Sequence, residues 1–83
     1  MKVTVKYFAG IREAIGVASE VHETEARTLA ALRDELMALD AAHAESLARG
    51  KAVRLALNLV MVEESVALTD GAEVAFFPPV TGG

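Results

Sequence analysis

With 83 residues and no cysteine, the chain is sized for one small domain and has neither disulfides nor thiolate metal ligands. A net charge of −4 argues against nucleic acid as the main partner, because phosphate binding needs clustered Lys and Arg. No basic amphipathic helix addresses a membrane surface, and no apolar run approaches the roughly 20 residues of a span. An apolar content of 53%, mostly Ala, Val and Leu, is enough to pack the core that a chain this short needs.

Residues 2–8 alternate as a half-buried strand does, with Val3, Val5 and Tyr7 on one face and Lys2, Thr4 and Lys6 on the other. By parity the aromatic Phe8 falls on the Lys/Thr face, where a large apolar side chain marks a contact surface, the alternative being a twist or bulge that tucks it into the core. The strand pattern begins at Lys2 and leaves no room for a signal peptide. A soluble, cytoplasmic protein is therefore expected. Ala9 to Gly16 reads as a connection with a short helical turn, punctuated by Gly10 and Gly16. Residues 17–23 form a second, less regular strand, with Val17 and Val21 as its inward residues.

The main helix is predicted from Thr24 to Asp40. Leu29, Leu32, Leu36 and Leu39 recur at helical spacing as one apolar stripe, Thr28 is the N-cap, and Arg33, Asp34 and Glu35 lie on the solvated side. Asp40 caps a shorter helix, Ala41 to Arg49, stopped by Gly50. His22 and His43 have no partner at metal-ligand or general-base spacing, and both are expected at ordinary surface or boundary positions. Residues 52–58 alternate again, 59–62 form a small strand, and Thr69-Asp70-Gly71 is a turn. The last strand covers residues 73–77, with Val74 and Phe76 facing the core and Ala75 and Phe77 facing the side that carries Phe8. Met61 and Ala56 are candidates to extend that face. A helix inserted between an N-terminal hairpin and later strands predicts an α+β fold, a mixed sheet with a helix on one face.

Catalytic constellations are missing. There is no nucleophilic cysteine, no serine sits beside a base, and no glycine-rich loop fits a phosphate. The tail remains. Pro78 and Pro79 fix φ and favour an extended path. Gly82 and Gly83 have no β-carbon and can thread a channel too narrow for a side chain. The chain thus divides into a folded body, 1–77, and an extended tail, 78–83, whose distinctive group is the Gly83 α-carboxylate. Activated by a partner enzyme, that carboxylate can become a mixed anhydride and then a thiocarboxylate. A frayed, inert end is the plainer reading of two glycines taken alone.

Residues 69–83, from Thr69-Asp70-Gly71 through Val74-Ala75-Phe76-Phe77-Pro78-Pro79 to Gly82-Gly83, closely resemble the C-terminal signature of the molybdopterin synthase small subunit family. These are β-grasp, ubiquitin-like sulfur carriers. Val5-Lys6-Tyr7-Phe8-Ala9-Gly10-Ile11-Arg12-Glu13 resembles the family's first strand and loop. One departure is Ala72, where the family commonly has Asp; only a small effect on the turn is expected.

The resemblance implies a β-grasp sheet with one main helix and a second short one. It implies that an E1-like enzyme uses ATP to adenylate Gly83, that sulfur is installed there as a thiocarboxylate, and that this chain binds no cofactor of its own. Gly82, Val80, Thr81, Pro78 and Pro79 would accompany Gly83 into the synthase large subunit. Phe8, Met61 and Phe77 match positions expected in the apolar contact with that subunit. There the sulfur passes to cyclic pyranopterin monophosphate, in a heterotetramer that completes an active site this chain lacks. Related β-grasp carriers serve thiamine synthesis, tRNA thiolation or protein conjugation, and a non-catalytic binding module shares the fold. The tail chemistry alone does not separate the carriers.

Overall fold

The structure is a computed structural model that describes residues 1–79. Five strands form one mixed sheet in the order β2-β1-β5-β3-β4. In chain order the elements are β1 (Lys2–Tyr7), α1 (Ala9–Ile15), β2 (Ser19–Glu23), α2 (Leu29–Met37), α3 (Ala41–Ser46), β3 (Arg54–Leu57), β4 (Val60–Val62) and β5 (Glu73–Phe77), with a 3-10 turn at Arg49–Lys51. β1 pairs antiparallel with β2 and parallel with β5, and β3 pairs antiparallel with both β5 and β4. Two hairpins thus sandwich the C-terminal strand, and the helices cover one face. This is the β-grasp arrangement, and it places β5, the strand that leads into the tail, at the centre of the sheet.

Alternation decides which side chains meet the helices. Val3, Val5 and Tyr7 of β1, Leu55 of β3, and Val74 and Phe76 of β5 face α2, whose Leu29, Leu32 and Leu36 are fully buried. Leu47, Ile11 and Ala72 complete this core. Ala72, the residue that departs from the family pattern, is a core residue, and its carbonyl accepts from the Thr4 N–H at 3.0 Å.

Thr28 caps α2 as predicted, its hydroxyl accepting from the Ala31 N–H at 3.2 Å. The free N–H groups of Leu29 and Ala30 donate to the carbonyls of Val66 and Glu64, in the segment after β4. The first turn of α2 is therefore satisfied from two sides. Thr28→Ala should cost about 1 kcal/mol, a fall of about 4–8 °C in Tm for a domain this size, read by thermal unfolding.

Several expectations are corrected. Helix α2 stops at Met37, one turn early, so Leu39 is half exposed and not in the core. Arg33 is buried, not solvated. Position 33 lies four residues after Leu29 and three before Leu36, inside the arc that the stripe occupies. Its guanidinium tolerates this because Nε donates to the Leu47 carbonyl at 2.7 Å and Nη1 to Glu64 at 2.9 Å. Val17 precedes β2, and Val21 points outward, 68% exposed. The inward residues of β2 are Glu20 and His22, beside Val5 and Val3. An edge strand can turn polar groups toward the helices when those helices supply partners: Glu35 for His22, and His43 for Glu20. The connection after β1 is a two-turn helix, α1, closed by Gly16 at φ 97°. The shorter helix ends at Ser46, not Arg49, and Gly50 lies in the 3-10 turn.

Candidate functional site

The outer face of the sheet has one row running Lys6, Ala75, Ala56, Met61 across β1, β5, β3 and β4, and the next row pairs Phe77 with Arg54. Phe8 completes that second row. Its backbone stays extended, at φ −125° and ψ 151°, before Ala9 turns to φ 49° and opens α1. The Phe8 N–H donates to the Phe76 carbonyl at 3.2 Å, and the Phe8 carbonyl accepts from the Ile11 N–H at 3.1 Å. Held so, the Phe8 ring stacks on Phe77 with centroids 4.5 Å apart and planes 11° apart. The arrangement keeps an aromatic of the first strand against the last aromatic of the chain.

Phe8, Met61, Phe77, Pro78, Ala9 and Arg54 line an apolar groove of about 330 Å³ at this corner. Phe8 and Met61 are 40% and 54% exposed, so the groove is an open surface and not a substrate pocket. The small side chains of Ala75 and Ala56 are covered by their neighbours, which leaves the face flat beside the stacked rings. Farther along, a Lys6–Glu73 ion pair at 3.2 Å turns the same face polar. The apolar patch is thus confined to the end where β5 runs into Pro78 and Pro79. The structure brings Phe8, Met61, Phe77 and Pro78 together around this groove. Pro79 lies beyond it, on the helix side of the strand end. Val80, Thr81, Gly82 and Gly83, the remaining tail residues of the sequence reading, lie outside the described residues.

A polar cluster behind β1 escaped the sequence reading. His43 is buried, contrary to its expected surface or boundary placement. Its Nδ1 lies 2.8 Å from the Asp40 carboxylate and its Nε2 lies 2.8 Å from Glu20. Asp40 also accepts the His43 N–H, capping α3 as predicted. The ring meets Tyr7 edge-on, with centroids 5.8 Å apart. The only available signal was the N-cap spacing of Asp40 and His43; the approach of Glu20 is a tertiary event. Burial of the Tyr7 hydroxyl, which has no hydrogen-bond partner of good geometry, and then the nearby Glu20 carboxylate push its pKa up.

Burial opposes the charged form of His43, but the hydrogen bonds its ring donates to Glu20 and Asp40 outweigh it and hold the pKa above 6.5. Glu20 is held low by His43 and Tyr7 despite its burial, and Asp40 is held low first by the His43 backbone N–H. The pH dependence follows in sign. The His43 contribution is full below its ordinary value of 6.5 and is lost as pH rises through the higher folded value. The two carboxylates contribute above their ordinary values and lose that as pH falls through their lower folded ones. Stability should decline on both sides of a mildly acidic maximum, and His43→Gln should flatten the alkaline limb in denaturation curves taken across pH. His43, Asp40 and Glu20 satisfy one another, and among the described residues no group of His, Asp and Glu is arranged to hold a metal ion. No helix among them is long and apolar enough to cross a membrane.

The sequence from residue 5 to 83 matches the family model described as ThiS family. Over 81 residues the chain is 41% identical to the molybdopterin synthase sulfur carrier subunit of Escherichia coli K12, covering 98% of this chain and 99% of that one. Among solved structures it is similar to a chain of the protein–protein complex of subunits 1 and 2 of molybdopterin-converting factor from Helicobacter pylori, with a TM-score of 0.72, 28% identity and full coverage of both chains. It is also similar to SAMP1 from Haloferax volcanii, with a TM-score of 0.74, 26% identity and full coverage of both.

Proposed function

The chain belongs to the ThiS family, and on that premise we propose that it is the sulfur-carrying subunit of a molybdopterin synthase. One observation carries the reading. The central strand of a chain alike over its whole length to a sulfur carrier subunit ends in Phe77, stacked on Phe8, and runs directly into Pro78 and Pro79. The aromatic patch docks and the prolines launch the chain away from it. Residues 1–77 are then the handle and residues 78–83 the working arm.

In this reading the Gly83 carboxylate attacks the α-phosphate of ATP on an E1-like enzyme and releases pyrophosphate. Sulfide supplied by a donor attacks the acyl carbon and displaces AMP, leaving a thiocarboxylate. Gly82 and Gly83, followed back by Thr81 and Val80, pass into the large subunit. There the terminal sulfur, a soft nucleophile at neutral pH, bonds to cyclic pyranopterin monophosphate as a thioester, and water cleaves the acyl C–S bond, leaving the sulfur on the pterin and returning the Gly83 carboxylate. The catalytic environment belongs to the large subunit; this chain contributes positioning, whose effect on rate is large when reacting atoms are held in contact. Two small subunits flank a central pair of large ones in the expected heterotetramer, and no nucleic acid or membrane takes part.

The likeness to SAMP1 favours as second reading a β-grasp carrier for protein conjugation, with tRNA thiolation and thiamine synthesis in the same class. Reconstitution separates them. The thiocarboxylated protein with the large subunit should convert the pterin precursor. Absence of conversion, with tRNA thiolation or conjugate formation in its place, would reject the first reading.

A further inference from the structure

We propose that a second groove, on the helix side of the tail's foot, together with the cations flanking that foot, docks an acidic segment of the partner that also carries an apolar anchor. The proposal rests on the sulfur-carrier reading and adds the chemistry of the partner's surface. This groove, of about 200 Å³, is lined by Ile11 and Ala14 of α1, by Lys51 and Val53, and by Pro78 and Pro79. Pro78 lines the sheet-side groove as well. The foot of the tail therefore stands between two apolar grooves, so a partner that takes the tail must pass over both.

Charge around the foot is opposite to that of the molecule. The chain carries 12 Asp and Glu and a net charge of −4, yet no carboxylate lines either groove. Lys51 lines one and Arg54 the other. Both are exposed, and neither joins an ion pair among the described residues. Arg49, two residues before Lys51, shows the contrast: it is engaged by Glu64 at 2.8 Å and by Asp34. An acidic segment approaching the foot of the tail therefore meets cations and no lining carboxylate. Such a field orients the encounter with the tail leading. The mostly apolar lining suits a polypeptide with an apolar side chain beside its carboxylates better than a phosphate backbone, which would need a denser cluster of cations.

The test measures binding of the full-length chain to the large subunit from the same genome across about 0.1 to 1 M salt, where the Debye length falls from about 10 to about 3 Å. The double charge reversal K51E/R54E should weaken binding by about tenfold or more at low salt, mainly through slower association, and the loss should fade at high salt. Ala14→Phe, an exposed position that fills the helix-side groove, should weaken binding at both salt levels. Unchanged melting temperatures keep either loss from being one of folding. Equal low-salt affinity of K51E/R54E and the unaltered chain would overturn the proposal, as would unchanged binding by Ala14→Phe. Loss of a short RNA duplex, rather than of the large subunit, from K51E/R54E would assign the cations to nucleic acid and overturn it too. No binding by the unaltered chain would reject the sulfur-carrier reading itself, and this proposal with it.

Discussion

Removing Gly83 alone is expected to abolish sulfur transfer while leaving the melting temperature unchanged. Among the described residues, none after Phe76 belongs to the buried core, so loss of the terminal residue is expected to leave the fold intact. The shortened chain would still end in a glycine carboxylate, and that is why the prediction is sharp. An extended residue spans roughly 3.3–3.6 Å. The new terminus would fall short of the activating phosphate and of the pterin by that much, whereas reacting atoms need to lie within about 3–3.5 Å and a 1 Å displacement can already cost about 100-fold. Single-turnover transfer assays, first with the activating enzyme and then with the large subunit, measure the two steps separately. Full activity of the shortened chain would mean that the tail works by some chemistry other than delivery of its end.

Phe76 and Phe77 should behave as opposites although they are neighbours. Phe76 is fully buried between α2 and the sheet, stacked near Tyr7 with centroids 6.1 Å apart. Truncation to Ala should cost about 3–5 kcal/mol, against a total of roughly 4–12 kcal/mol at the usual stability per residue. Such a variant should melt more than about 12 °C lower, at about 4–8 °C per kcal/mol for a domain this size. Phe77 lies on the outer face against Phe8. Phe77→Asp should leave the melting temperature within a few degrees but weaken association with the large subunit by about 30-fold or more, as loss of an aromatic anchor does. Calorimetric unfolding and a binding isotherm on the same two proteins decide it. A Phe77→Asp variant that unfolds like Phe76→Ala would mean the outer face is a second core, covered in the free protein.

The contrast between those neighbours was legible in the sequence because a strand has period 2 and cannot put adjacent side chains on one face. The same rule placed Val3, Val5 and Tyr7 inside and Phe8 outside, and side-chain chemistry at the helix starts located the caps Thr28 and Asp40. What escaped depended on partners distant in sequence. Arg33 is buried because the Leu47 carbonyl and Glu64 meet it there. Glu20 and His22 turn inward because His43 and Glu35 wait on the helices, and no local pattern marks a polar residue whose partner comes from another element. The sheet-side groove could be read from strand parity, since all its aromatic residues lie on strands or at their ends. The helix-side groove could not: α1, Lys51, Val53 and Pro78 meet only when the chain closes.

The intact mass of the protein isolated from its native cells tests the central claim most directly. The account predicts a fraction in which one oxygen is replaced by sulfur, assigned by fragmentation to the Gly83 carboxylate and absent from cells lacking the activating enzyme. A protein bearing only the plain carboxylate in cells actively making the cofactor would contradict it.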